Sequence, residues 1–283
     1  MFWLRDFQDR VLSMAADSLS NPSVENCSDN SCVTIARLSL HVSEHEYARL
    51  VGVLSEDEKE RSLRRLPEVR RRAVVSRGRL RVLLGRLIGV SPEKVSLATG
   101  HFGKPYLSEI HQSSIQFNVA HSMDEAVVAV SQQGAIGVDL EKRKITHNQR
   151  WARLMAPAIF SESEMKQRVE CPGRLSPEEI LDCWVAKEAV LKAIGTGIGD
   201  KLRTCQLPAD LPRFKMCVDA EASTCRLASV VLKDQVFVPA NKIGITLIDL
   251  CEGTHLALSQ PGQVCKLALR SFDRILHEGL ADG

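Results

Sequence analysis

The stretch WVAKEAVLKAIGTGI, Trp184–Ile198, decides how this chain is read. Trp184, Glu188 and Lys192 recur every fourth residue, so on a helix they stack along one side, with Leu181, Val185 and Ala189 on a neighbouring apolar face. Upstream, Ser176-Pro177-Glu178-Glu179 supplies a serine N-cap, a proline in the first helical position and a glutamate at N3. Gly195 is the natural residue just past the last turn, because it can adopt the left-handed conformation that ends a helix. The predicted helix therefore carries an acid and a lysine one turn apart. It stops at the glycine-rich run GTGIGDK, where the backbone can pass close to another group. Alone, Glu188 and Lys192 are equally well read as a surface pair worth about 0.3–0.5 kcal/mol. The glycine run is not a dinucleotide fingerprint, because it follows a helix. Its order and spacing through Lys201 also rule out a Walker A loop.

Working outward, AIGVDLE (135–141) reads as a strand. Ile136, Val138 and Leu140 share its core face, and Asp139 and Glu141 share the other. Two like charges side by side repel unless a cation or a lysine lies between them. On spacing alone, a solvated face or pairing with Lys142 and Arg143 accounts for them at least as well. If strand and helix meet, Asp139, Glu141 and Glu188 form a three-carboxylate set of the hard oxygen type that magnesium takes together with phosphates. That points to phosphoryl-group chemistry. Lys104 in GKP, Lys192, His121 in AHS and an arginine-rich helix would offer positive charge to a highly anionic ligand. Taken singly, His121 is an ordinary turn histidine, and the run Lys59–Arg86 is a solvated helix face. The run contains eleven Lys or Arg residues against two acids, but no aromatic residue in it could stack a base. With a net charge of only +2, no nucleic-acid partner is expected.

The 283 residues suffice for one large or two medium domains. Apolar residues at 44% and charged residues at 25% are ordinary for a globular protein. Nine cysteines without a CxxC pair argue against zinc and for a reduced, cytoplasmic protein with buried thiols. The start, residues 1–19, reads as a short amphipathic helix broken by Arg5, Asp6, Asp9 and Arg10, not as a leader or membrane anchor. Residues 18–31 read as a polar linker. VTIARLSL alternates like a strand, and Ser55-Glu56-Asp57-Glu58 opens a helical region with Leu80, Leu83, Leu84, Leu87 and Ile88 on its core face. GHFGKPYL is a glycine-rich loop, and IQFNVAHS and AVVAVS are strands. Residues 132–134 form a turn, which we take as the boundary between two halves. Phe160 precedes a second capping box, Ser161–Glu164. Apolar segments at 214–218, 228–232, 236–238 and 243–250 look like strands. The expectation is an α+β chain, with residues 1–32 as an extension, 33–133 as a first half and 134–283 as a second.

GKP at Gly103–Pro105, FNVAHS at Phe117–Ser122, GVDLE at Gly137–Glu141, FSESE at Phe160–Glu164 and WVAKEAVLKAIGTGI occur in that order. In this the chain resembles the 4′-phosphopantetheinyl transferases of the long, single-chain type typified by the surfactin-synthetase-activating enzyme, over roughly Val33 to Leu250. The resemblance implies two similar α/β halves packed as a pseudo-dimer with coenzyme A between them. It implies magnesium-dependent transfer of the phosphopantetheine arm to a serine of an apo acyl or peptidyl carrier protein, with release of adenosine 3′,5′-bisphosphate. It assigns Asp139, Glu141 and Glu188 to the metal, and Glu188 also to proton removal, directly or through water. Lys192 falls to the leaving phosphate, and Lys104, His121 and Ser122 to the coenzyme's phosphates. Lys59, Arg64 and Arg77 stand where the family places basic residues for the 3′-phosphate and adenine side. Ala120 replaces a frequent serine, and Ile198 a frequent leucine. A monomer is expected, since the two halves supply what a homodimer would, and no membrane is involved. A non-catalytic module binding coenzyme A or a carrier protein is the alternative, but it could dispense with the acids that are all present here.

Overall fold

The computed structural model describes residues 32–132, 134–169, 175–197, 199–208, 210–216, 219, 223–232, 243–250, 254–261 and 264–278. The expected helix and linker of residues 1–31 and the expected strand at 236–238 lie outside them. From Ser31 onward the chain forms one compact unit.

In chain order, β1 (Cys32–Ser39) is followed by α1 (Glu44–Gly52), α2 (Glu56–Leu63) and α3 (Pro67–Ile88). Then come β2 (Leu97–Thr99), β3 (Pro105–Leu107), β4 (Gln116–Ser122), β5 (Glu125–Ser131) and β6 (Gly137–Lys142). Three helices follow: α4 (Gln149–Ile159), α5 (Glu162–Val169) and α6 (Pro177–Ile194). Five short strands lead onward: β7 (Cys205–Gln206), β8 (Arg213–Lys215), β9 (Ser223–Arg226), β10 (Ala228–Ser229) and β11 (Val231–Leu232). The described chain closes with β12 (Ile243–Leu250), β13 (Thr254–Pro261), β14 (Val264–Ser271) and α7 (Phe272–Glu278).

The capping signals act as expected. Ser55 and Glu58 cap α2 reciprocally, Ser161 and Glu164 do the same for α5, and Ser176 accepts from the Glu179 amide to start α6. The basic region is two helices, because Pro67 cannot continue α2 but suits the first position of a new helix.

Of the two large sheets, one has the order β4-β5-β1-β14-β9 and the other β10-β12-β13-β6, with β8 added in parallel to β12; β2 pairs with β3 and β7 with β11 in two-stranded sheets. Period-two alternation assigns their faces. Val33 and Ile35 of β1, Val127 and Ala129 of β5, Val138 and Leu140 of β6, and Leu256 and Leu258 of β13 share the core between the sheets. Ala36, Leu38, Val128 and Val130 face outward onto Val75, Leu80, Leu83 and Leu84 of α3. Ile245, Leu247 and Ala257 face outward onto Val185, Ala186, Ala189 and Val190 of α6. The result is a mixed α+β arrangement of four layers: helix, sheet, sheet, helix. The two stretches of sequence are not self-contained, however. β14, near the far end of the chain, pairs in parallel with β1 and completes the first sheet.

The sheets also meet edge to edge. β6 ends its sheet, so its outward amides have no strand partner. Asn118 Oδ1 of β4 accepts from the Val138 amide at 2.9 Å, and Ser122 Oγ accepts from the Lys142 amide at 3.1 Å. Glu125, buried in β5, pairs with Arg37 and with Lys142 Nζ at 2.8 Å.

Candidate active site

Gly137 fixes how closely α6 lies on β6. A Cβ there would meet the Ala189 carbonyl oxygen at 1.9 Å and the Ala193 nitrogen at 2.4 Å, so only glycine permits this approach. Asp139 follows on the same face of β6, and one turn of α6 stands beside it. Lys192 Nζ bonds Asp139 Oδ1 and lies 3.5 Å from Glu188 Oε2. The strand acid, the helix acid and the helix lysine, predicted from two separate patterns, thus converge on one point.

The electrostatics of that point are strained. Asp139 is only 6% exposed. Burial pushes its pKa up to about 7; Lys192 opposes that shift, and the Glu188 charge adds to it. Glu141, on the same strand face, is half-buried and pairs with Lys144 at 2.9 Å. The alternatives Lys142 and Arg143 are engaged elsewhere, with Glu125 and Glu178. Among the described residues no three His, Cys, Asp or Glu side chains stand close enough to hold a metal ion as placed. Lys192 fills the space between Asp139 and Glu188, and Lys144 holds Glu141. The donor set nonetheless suits a hard divalent cation: three oxygen-donor acids, one of them buried beside another carboxylate, with lysines in the positions of positive charge.

Around this point the other expected residues are distributed unevenly. His121, at the solvent-facing end of β4, has its pKa lowered by partial burial and then by Lys192 and Arg65, with Glu141 opposing. It therefore stands among the acids, Lys192 and the end of α2. Arg77 of α3 has its pKa lowered by burial, is 3.6 Å from Glu58, and feels Arg61, Arg81 and Arg65. The charge of Arg65 thus acts on both His121 and Arg77. Arg64 is exposed at the end of α2, and Lys59 pairs with Glu56 at 2.8 Å on the helix surface. Ser122 is buried, with its oxygen turned to the Lys142 amide. Lys104 Nζ donates to three backbone carbonyls, those of Ile136, Lys192 and Ala193, and burial lowers its pKa to about 8.

Several supporting groups lie outside the expected set. Lys187, between Trp184 and Glu188 in sequence, is fully buried. It donates to Glu164 Oε2 at 2.8 Å, the Ile159 carbonyl at 2.8 Å and the Leu202 carbonyl at 3.1 Å. Asp182, buried on α6, takes His255 Nδ1 at 2.7 Å and also Arg213. His255 is the cross-strand neighbour of Glu141. An acid inside the apolar run ILDCW was the available signal for Asp182, and the arginine pair Arg64-Arg65 the signal for Arg65.

The chain matches the model of the 4′-phosphopantetheinyl transferase superfamily over residues 135–236 and that of the 4′-phosphopantetheinyl transferase N-terminal region over residues 40–133. It is 34% identical over 168 residues to the 4′-phosphopantetheinyl transferase HetI of a Nostoc species, covering 59% of this chain and 70% of that one. This chain belongs to the 4′-phosphopantetheinyl transferase superfamily. Other relatives include the transferase AcpT of Salmonella typhi, 31% identical over 149 residues, 52% of this chain and 71% of that one. The L-aminoadipate-semialdehyde dehydrogenase-phosphopantetheinyl transferase of Eremothecium gossypii is 32% identical over 163 residues, 52% of this chain and 58% of that one. As a member of this superfamily the protein is an enzyme of two matched parts. The constellation Asp139–Lys192–Glu188 lies wholly in the second matched region, while His121 and the basic residues of α2 and α3 lie in the first.

Proposed function

We propose that the protein moves the 4′-phosphopantetheine group from coenzyme A to the serine hydroxyl of an apo acyl or peptidyl carrier protein, in a magnesium-dependent reaction that releases adenosine 3′,5′-bisphosphate. The observation that carries this reading is the convergence of Asp139, Lys192 and Glu188 across β6 and α6. A serine hydroxyl is a weak nucleophile at neutral pH and needs a base. Glu188, the second acid of this group, would take that proton directly or through water. A diphosphate repels an attacking oxygen and needs cationic partners. Lys192 supplies charge, and a proton, to the phosphate that leaves.

Asp139, Glu141 and Glu188 would hold the divalent ion, whose contribution when bound is to polarise the diphosphate. Binding it requires Lys192 and Lys144 to yield their carboxylates. Lys192 is then free to meet phosphate. His121, Arg77, Arg64 and Lys59 give the coenzyme's phosphates a basic lining, which Ser122 can join only by releasing the Lys142 amide. Arg65 joins that lining because it is felt by both His121 and Arg77. The carrier protein is the macromolecular partner. A monomer suffices, since both sheet-and-helix layers already come from one chain. The thiols of Cys183 and Cys205, buried and pushed up to about 12, suit a reducing, cytoplasmic setting. No described helix is long and apolar enough to cross a membrane.

The test is to incubate the protein with coenzyme A, magnesium and an apo carrier protein, and to weigh the carrier. A gain of one phosphopantetheine group that disappears in Glu188→Gln supports the reading. No gain with fatty-acid, polyketide and peptide-synthase carriers alike defeats it.

A further inference from the structure

We infer that Lys104 is a positioning residue that fixes Lys192 against Asp139, and is not a ligand of the coenzyme's phosphates. The inference rests on the transfer reaction proposed above.

An ammonium group has three donors. Lys104 Nζ lies 2.7 Å from the Lys192 carbonyl oxygen, 2.8 Å from that of Ile136 and 3.3 Å from that of Ala193, so all three donors are engaged with the backbone. None is left for a phosphate. The choice of carbonyls is informative. A helix leaves its last carbonyls without intrahelical partners. At the end of α6 the Gly195 amide returns to Leu191, and Lys104 takes the next two carbonyls, where the negative end of the helix dipole favours a cation. Its third bond goes to Ile136, the residue just ahead of β6 and three residues before Asp139. One ammonium therefore ties together the two backbone segments whose relative placement decides whether Lys192 reaches Asp139.

The rest of the 100–104 turn supports this role. That turn joins β2 to β3 and is closed by bonds between Gly100 and Lys104 and between Gly103 and Gly100. Phe102 packs on Gly197, where an added Cβ would lie 3.3 Å from the ring, and it carries Lys201 Nζ over its face at 4.6 Å. Lys201 Nζ in turn donates to the Thr196 carbonyl at 2.8 Å. The turn thus grips the end of α6 from two sides, with Lys104 inserted between helix and strand.

The test uses full-length Lys104→Met and Lys104→Arg. Steady-state kinetics are measured together with calorimetric binding of coenzyme A and of adenosine 3′,5′-bisphosphate, and with amide hydrogen exchange at Gly195 and Thr196. Positioning predicts that Lys104→Met lowers kcat by at least about tenfold while the KM for coenzyme A and both affinities stay within about twofold. Exchange at Gly195 and Thr196 should quicken. Lys104→Arg keeps the charge but cannot reproduce the three-carbonyl fit, so it too should lose kcat. A phosphate ligand would show the opposite: a KM and dissociation constants raised about tenfold at near-normal kcat, with Lys104→Arg close to wild type. That result overturns the inference, as does unchanged exchange with unchanged kinetics. If the wild-type protein transfers nothing to any carrier, the transferase reading fails. The exchange and coenzyme-binding measurements still decide the position of Lys104: faster exchange at unchanged coenzyme affinity supports it, and weakened affinity at unchanged exchange overturns it.

Discussion

Asp139 shows what a single residue contributes and what it costs. Its ordinary pKa is 3.8, and burial beside Glu188 raises it to about 7 in the folded protein. Between those values the folded chain keeps a proton that the unfolded chain has released. Stability therefore falls as pH rises through that window and levels off above about 7. In metal-free protein the urea midpoint should drop between about pH 5 and pH 7.5. The drop should be smaller in Asp139→Asn, and magnesium at pH 7.5 should restore the midpoint in the wild type only. A midpoint that rises over this range would contradict the picture. At this scale the sequence was largely legible. Alternation put Asp139 and Glu141 on one face of β6, and fourfold spacing put Glu188 with Lys192 on α6. What spacing could not say was which lysine answers which acid. Lys192 reaches across from another element, and Lys144 takes Glu141 from three residues away. Those pairings depend on packing distances that no local pattern encodes.

At the scale of elements, α6 is held by a buried ion pair as well as by its apolar face. Lys187 reaches the end of α4 through the Ile159 carbonyl and the start of α5 through Glu164, and it also meets the Leu202 carbonyl. Glu164 also caps α5 by accepting from the Ser161 amide at 2.9 Å. Removing the lysine leaves a buried carboxylate without its partner, which costs about 3–5 kcal/mol. Lys187→Met should therefore lower the unfolding free energy by that amount in urea titrations, and adding Glu164→Leu should recover part of it. A loss below about 1 kcal/mol would mean that the pair is better hydrated than its burial indicates. The start and stop of α6 and the boxes at Ser55 and Ser161 were readable, because capping is local chemistry. Reading the arginine-rich run as one helix misses the break between α2 and α3, although Pro67 ends the first and opens the second. Lys187 stands in the signature run itself, but its burial and its pairing with Glu164 were not legible, because a lysine beside Glu188 in a helix looks like one more surface charge.

For the whole molecule, the proposed site is shared. β6 and α6 bring the acids. β4, α2 and α3, across the edge stapled by Asn118 and Ser122, bring His121 and the arginines. The α+β class and the strands around residues 33–40, 116–131 and 136–141 follow from alternation. The parallel pairing of β14 with β1 does not, because it joins opposite ends of the described chain. A chain cut after Pro261 loses β14 and α7 and should lose the cooperative thermal transition seen by circular dichroism. An undiminished transition would show the first sheet to be independent of β14.

With coenzyme A bound, the acidic strand and the acidic helix are expected to close on one divalent ion. Manganese binding in the presence of coenzyme A, followed by electron paramagnetic resonance, reads this out. The wild-type protein should take up one ion, and Asp139→Asn and Glu188→Gln should each weaken that binding by about tenfold or more while remaining folded. Undiminished binding in both variants would mean that Asp139 and Glu188 do not hold the ion.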